Sequence, residues 1–130
     1  MKSIEEIREV FSNDRFATDN GAYIESVGDK TAVCSIELNE THMNAYGGVM
    51  GGVHFMLADF AFAVATNSEK MGVVSLDSTI SYTGAVKGKK IFATANCLKD
   101  GRNTVLYKID ITDDTGRLCA VVNTTGYRVE

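Results

Sequence analysis

The sequence has no proline, few cysteines and no long apolar run, and each scarcity limits what the chain can be. Without proline, strand ends must be set by glycines and Asp-Gly turns. Cys34, Cys97 and Cys119 are odd in number and lack metal-site spacing, so we expect a reduced, cytoplasmic protein with no metal. No stretch of about 18 uncharged apolar residues exists, and the charged N-terminus has no apolar segment. We therefore expect neither a membrane span nor a signal peptide.

Composition and charge narrow the partners. The 130 residues are 45% hydrophobic and 23% charged, which is ordinary for a globular protein and predicts one domain over residues 1–130. Thirteen basic and seventeen acidic residues give a net charge of -4. This balance argues against a nucleic-acid partner, because a polyanion needs a basic surface. It leaves room for a small anionic ligand held by a few local lysines or arginines.

Hydrophobic periodicity predicts an α+β chain in the order α-β-β-α-β-β-β-β. Apolar residues at helical spacing predict an N-terminal helix over 3–14, and an Asn- and Gly-rich loop over 39–50 precedes a second helix over 51–67. Alternating apolar and polar residues predict six strands, and the short connections favour antiparallel pairing. The predicted strands are 21–28, 30–38, 72–83, 89–99, 103–112 and 117–129.

The helix over 51–67 is apolar on nearly every face, and Asp59 is its only formal charge. Such a helix is typical of a buried element, so we expect one curved sheet to wrap around it. A carboxylate there is costly unless it is paired, hydrogen-bonded or facing a cavity. Asp59 is therefore either a structural partner for a nearby group or a desolvated catalytic carboxylate.

The segment that enters this helix, residues 46–52, contains four glycines. Glycine lets another molecule approach the backbone closely, and a helix N-terminus offers unpaired amides with positive partial charge. The pattern predicts a site for an anion or for the oxyanion of a reacting carbonyl, with the Gly51 amide as donor. The alternative is a flexible turn with no ligand.

These residues carry a resemblance to a known family. The run Asn44 to Gly52, followed by Leu57-Ala58-Asp59, resembles the signature of the hot-dog-fold acyl-CoA thioesterases of the phenylacetate-degradation (PaaI-like) type. The resemblance implies a curved antiparallel sheet of about six strands around a central helix. It also implies hydrolysis of an aryl- or medium-chain acyl-CoA by a homodimer or dimer of dimers with shared active sites. Coenzyme A is then part of the substrate, and no separate cofactor is expected.

In similar enzymes, matching residues have catalytic roles. The resemblance assigns Asp59 as general base or nucleophile, Asn44 as the group that orients water or carbonyl, and Gly51 as oxyanion donor. Met50 is a departure, because the family usually has histidine there. His42 and His54 lie out of register with that position, and we interpret both as ordinary polar residues.

Further positions are implied as substrate contacts. Similar enzymes place coenzyme A along the segments that match 82–87 and 99–104, with a serine near the thioester. The basic residues there can meet phosphates or can simply be solvated turn residues. The predicted contacts are Met50, Gly52, Ser75, Tyr82, Lys87, Lys99 and Arg102.

Helix geometry adds a constraint of its own. Gly51 and Asp59 are eight positions apart, which is about 12 Å of helical rise. A base must lie within about 3 Å of the group on which it acts, so both residues can serve one substrate only if they come from different chains.

Two alternatives stay open: a non-catalytic acyl-CoA-binding protein, and a hydratase or dehydratase, which would rely on a histidine paired with an acidic residue.

Overall fold

The computed structural model describes residues 2–129, which form three α-helices and six strands. Strand bounds differ from the predicted ones by one or two residues. The helices are α1 (Ile4–Phe11), α2 (Arg15–Asp19) and α3 (Gly51–Asn67), and a 3-10 turn covers Glu40–His42. The strands are β1 (Tyr23–Gly28), β2 (Thr31–Glu37), β3 (Val73–Tyr82), β4 (Lys90–Asp100), β5 (Thr104–Asp113) and β6 (Leu118–Arg128).

The six strands form one sheet in the order β1-β2-β4-β5-β6-β3, and every neighbouring pair is antiparallel. Helix α3 contacts all six strands, so the sheet curves around it as predicted. Leu57, Ala61 and Val64 of α3 are fully buried against inward-facing residues such as Ile109 and Val122. Within residues 2–129, the helices are too short or too polar to cross a bilayer.

The N-terminal prediction needs a correction. A capping box between Ser3 and Glu6 starts α1, but the helix ends at Phe11 rather than at residue 14. The turn-forming pair Asn13-Asp14 interrupts it, and α2 begins at Arg15. A second element was also missed, because the predicted loop 39–50 contains the 3-10 turn that Asn39 caps by accepting from the Thr41 amide at 2.8 Å.

A β-bulge at Leu76 changes which residues of β3 share a face. Ser75 pairs with Gly126, whereas Asp77 pairs with Thr125, so two positions of β3 oppose one step of β6. Simple alternation placed Ser75 on the opposite face from Ile80. The extra residue instead puts Ser75 on the face that points toward α3, together with Ser78 and Ile80.

The expectation that α3 is buried on every side is wrong for the single chain. Gly52 and Asp59 are exposed, and Phe55, Met56 and Ala63 are only half-buried. These residues recur at helical spacing, so they form one stripe along α3. The sheet covers the rest of the helix and leaves this stripe, which lies beside edge strand β3, open.

Asp113 fixes the two connections at the end of the sheet near the start of α3. Its buried carboxylate accepts from the amides of Lys87, Gly88 and Arg117, and from the amide and hydroxyl of Thr115, at 2.6–3.1 Å. The hydroxyl of Thr115, followed by these backbone amides, holds the pKa of Asp113 well below its ordinary range.

We predict that Asp113→Asn lowers the free energy of unfolding at pH 7 by at least about 2 kcal/mol, because hydrogen bonds to a charge are strong. Because the pKa of Asp113 is lowered in the folded state, its charged carboxylate stabilises the protein above the unfolded-state pKa of about 3.9. This stabilisation is lost progressively as the pH falls below that value. The difference from the native protein should therefore shrink below about pH 4. Urea unfolding from pH 3 to 7 measures it, with the exposed turn variant Asp29→Asn as control. A difference that does not vary with pH contradicts the assignment.

Candidate active site

An open groove runs along the uncovered stripe of α3. Its volume is about 500 Å³, and it lies between the helix and the bulged segment 75–78 of β3. Phe16 of α2 and Leu76 at the bulge form apolar walls, and both are mostly exposed, by 74% and 62%. The residues that line it are Phe16, Gly52, Phe55, Met56, Asp59, Ser75, Leu76, Asp77 and Ser78.

Asp59 is the carboxylate of the helical stripe, and its surroundings shift its acidity. The side chain is open to solvent in the single chain, which corrects the expectation of a buried charge. The apolar atoms around it nevertheless displace water and raise the pKa of the Asp59 carboxyl, and the nearby Asp14 carboxylate raises it further. No hydrogen bond or ion pair to Asp59 occurs among residues 2–129. The structural interpretation, in which a partner holds this carboxylate, therefore lacks that partner in the single chain.

The N-terminus of α3 presents free amide donors. Met50 occupies the N-cap position, and its side chain makes no capping hydrogen bond. The Val53 amide bonds to the Met50 carbonyl, but within the described chain the amides of Gly51 and Gly52 have no acceptor. The Met50 methyl group folds over Gly52, where a Cβ atom would lie 2.7 Å from it. Met50 therefore leaves the amides uncapped, and its thioether lies over Gly52.

Tyr82 lies against the same helix end. Its hydroxyl would be 2.6 Å from a Cβ atom at position 51, so a larger residue there would require the Tyr82 ring to move. The ring also packs edge-on against His54, with centroids 5.8 Å apart. His54 is 95% buried, its Nδ1 has no partner in the described residues, and burial lowers the pKa of its imidazole.

Asn44 organises the loop that leads into α3. Its side-chain oxygen accepts from the amides of Tyr46 at 2.9 Å and Gly48 at 3.1 Å. Within one chain it does not line the groove that contains Asp59. His42 also holds this loop through two hydrogen bonds. Its Nδ1 accepts from the Asn39 amide, and its Nε2 bonds to the Asn20 carbonyl at 2.7 Å.

The basic residues predicted to contact the substrate are not gathered in one place. Lys87 follows β3 at the end of the sheet near Gly51, whereas Lys99 and Arg102 lie near the β4–β5 turn. The strand register places that turn beside the start of β3, so the length of this strand, about 30 Å, separates the two groups. Ser75, by contrast, lies in the groove with Asp59.

Sequence reasoning missed Phe16 and the bulge at Leu76. Phe16 lies on α2, a five-residue helix whose only signal was the turn-forming Asn13-Asp14 pair. The bulge has no glycine to mark it. No group of three or more His, Cys, Asp or Glu side chains in residues 2–129 is arranged to hold a metal ion.

The sequence of this chain is similar to those of known proteins. Residues 46–120, more than half of the chain, match the family described as the Thioesterase superfamily. Acyl-coenzyme A thioesterase PaaI of Escherichia coli (strain K12) is 29% identical over 121 residues, which is 92% of this chain and 86% of that protein.

Solved structures are similar over nearly the whole chain. The E. coli PaaI protein from the phenylacetic acid degradation operon has a TM-score of 0.88 at 28% identity, covering 94% of this chain and 89% of that one. A hypothetical thioesterase of Streptococcus pneumoniae TIGR4, solved with coenzyme A, has a TM-score of 0.82 at 26% identity, covering 91% and 95%. These similarities confirm the predicted hot-dog fold.

We predict that the Asp59 carboxyl titrates above the ordinary aspartate pKa of about 3.9, because apolar neighbours and Asp14 disfavour its charged form. Carboxyl-carbon NMR over a pH series measures this value. Asp14→Asn, at the N-cap of α2, should lower it part of the way, whereas Asp19→Asn at the other end of α2 should leave it unchanged. An Asp59 pKa at or below the ordinary value contradicts this description of the groove.

Proposed function

Because the chain belongs to the Thioesterase superfamily, we propose that it hydrolyses an acyl-CoA thioester to the free acid and coenzyme A. The observation that carries this proposal is the position of Asp59, a carboxylate with a raised pKa in an apolar groove beside Ser75. A groove of about 500 Å³ with aromatic and aliphatic walls suits an apolar acyl group, of the aryl or medium-chain kind.

The α3 N-terminus supplies the electrostatic part of the mechanism. As the thioester carbonyl is attacked, negative charge develops on its oxygen. The Gly51 amide, uncapped and reinforced by the helix dipole, donates to that oxygen. One such donor is worth about 10²–10³ in rate, and it needs no side chain at position 50.

Asp59 supplies the reactive carboxylate. As a general base it removes a proton from the attacking water and returns it to the leaving thiolate. As a nucleophile it attacks the carbonyl carbon, expels the coenzyme A thiolate and forms a mixed anhydride, which water hydrolyses to the free acid and the Asp59 carboxylate. A raised pKa helps the first role, because a stronger base takes a proton from water more readily.

The two parts must come from two chains. About 12 Å of helical rise separates Gly51 from Asp59 within one α3, so one thioester carbonyl cannot lie within hydrogen-bond distance of both. A homodimer in which edge strands β3 and the open stripes of α3 meet would place Gly51 and Asn44 of one chain beside Asp59 and Ser75 of the other. It would also cover the exposed Leu76 and the unpaired edge of β3.

The same dimer accounts for the scattered basic residues. Two β3 strands related by a two-fold axis run antiparallel, so the start of one lies beside the end of the other. Lys87 and Tyr82 of one chain would then approach Lys99 and Arg102 of its partner. Together they could bind the phosphates of coenzyme A.

A hydratase or dehydratase is less well supported. That chemistry would use a histidine paired with an acidic residue, and both histidines of this chain are buried, His42 in hydrogen bonds of the loop and His54 under Tyr82.

We predict that Asp59→Asn lowers kcat by at least about 10²-fold, because the amide cannot act as base or nucleophile. Its stability should change little, since the side chain is exposed and makes no ion pair in the described chain. Free-thiol release measures activity, and Asp19→Asn, an exposed aspartate outside the groove, is the control. Hydrolysis at the native rate by the Asp59 variant would refute the proposed role.

The shared site predicts complementation. Asn44→Ala and Asp59→Ala homodimers should each be nearly inactive, whereas a mixed dimer contains one site with both native residues. Dimers purified through two different affinity tags should therefore recover up to about half of the native activity. A mixed dimer no more active than its parents would indicate that each site is built within one chain.

A further inference from the structure

Tyr46 stands out because its side chain is as exposed as in an isolated peptide, at 101%. It lies at the tip of the loop that leads into α3. A free aromatic ring at a loop tip is unusual, because tyrosine normally packs its apolar body against a neighbour.

The backbone of the loop that carries this ring is held by hydrogen bonds. The Asn44 side chain accepts from the amides of Tyr46 and Gly48, and the Asn44 amide donates to the Gly48 carbonyl at 2.7 Å. A bridge between Met43 and Val49 closes the base of the loop. The backbone at Tyr46 is therefore already ordered, so binding of the ring costs little backbone entropy.

The loop also ties Tyr46 to the reaction centre. It is five residues from Gly51, so at most about 17 Å of chain separates them, and the closed loop makes the real distance shorter. If Gly51 of one chain acts on a thioester at Asp59 of the other, as the proposed function requires, Tyr46 is carried to that same groove. The groove has Phe16 and Leu76 as walls but is open on the side from which a second copy would arrive.

We propose that Tyr46 of one chain closes the groove of its partner, where its ring contacts the acyl group and determines which acyl groups are hydrolysed. The inference rests on the proposed two-chain site. The ring would complete an apolar wall opposite Phe55 and Met56, and its hydroxyl could stay in contact with water at the rim. The helix dipole and Asp59 would perform the chemistry, and Tyr46 would select the substrate.

A mixed dimer of Tyr46→Ala and Asp59→Asn chains tests this directly. The site with a native Asp59 receives position 46 from the Asp59→Asn chain, which is tyrosine, and the other site has neither residue. Purified Tyr46→Ala homodimers should show a KM about tenfold higher for the preferred acyl-CoA, with a smaller change in kcat. The mixed dimer should regain the native KM and acyl-group profile. Tyr23→Ala, an exposed tyrosine on β1 at the opposite edge of the sheet, should leave KM unchanged.

The outcomes separate this inference from the function on which it rests. A native acyl-group profile in Tyr46→Ala homodimers would overturn the role of Tyr46 while leaving hydrolysis intact. A mixed dimer that keeps the high KM would place Tyr46 in the groove of its own chain, which also overturns the proposal.

A second measurement does not need turnover. The chain has no tryptophan, so Tyr46→Trp introduces a single fluorescent reporter. In the dimer, its emission should be blue-shifted relative to that of water-exposed indole. The emission should change further when a non-hydrolysable acyl-CoA thioether is added. Emission typical of water-exposed indole in the dimer, unchanged by that ligand, would contradict the proposal even if no hydrolysis is detected.

Discussion

About 12 Å of helical rise between Gly51 and Asp59 governs how this chain can work. One helix carries both the uncapped amides at its N-terminus and the only carboxylate on its open stripe. An oxyanion donor and a base must converge on one carbonyl, so a single rigid helix cannot supply both to the same substrate. The proposed assembly follows from this separation, because a second copy would bring the missing half of each proposed site.

The open stripe of α3 has a cost in the single chain that the assembly would remove. Phe55 and Met56 are half-buried, and Phe16 and Leu76 are mostly exposed around them. Exposed apolar groups of this kind mark contact surfaces in soluble proteins. The same surface that would hold two chains together also contains the groove, so the stability of the proposed dimer and the shape of the proposed substrate site would depend on the same side chains.

Much of this architecture could be predicted from the sequence. Clean alternation in residues 103–112 fixed one strand to within a residue, and the apolar stretch 51–67 matches α3 at both ends. Local irregularities could not be predicted. The bulge at Leu76 puts Ser75 on the opposite face of the strand from the one that simple alternation predicts, and no glycine marks the bulge in the sequence. The break after Phe11 reflects turn preferences that compete with a helical pattern.

The exposure of Asp59 could not be predicted from the sequence for a different reason. Residue composition shows that the helix is apolar all round, but it does not show whether the sheet or a second chain covers each side. For the site, the sequence indicated Asp59, Gly51 and Ser75, and the structure places Asp59 and Ser75 in one groove. Asn44 and the basic residues do not line that groove in the single chain. The sequence pattern does not indicate which residues would meet across two chains.

The central claim is that this chain turns over acyl-CoA rather than only binding it. Free-thiol release by the native protein, measured over a panel of aryl- and medium-chain acyl-CoAs, tests that claim most directly. The account predicts many thiols released per chain, far beyond the three that the chain's own cysteines could contribute. Saturable binding of acyl-CoA with no release above the blank would contradict it and would identify the chain as an acyl-CoA-binding protein.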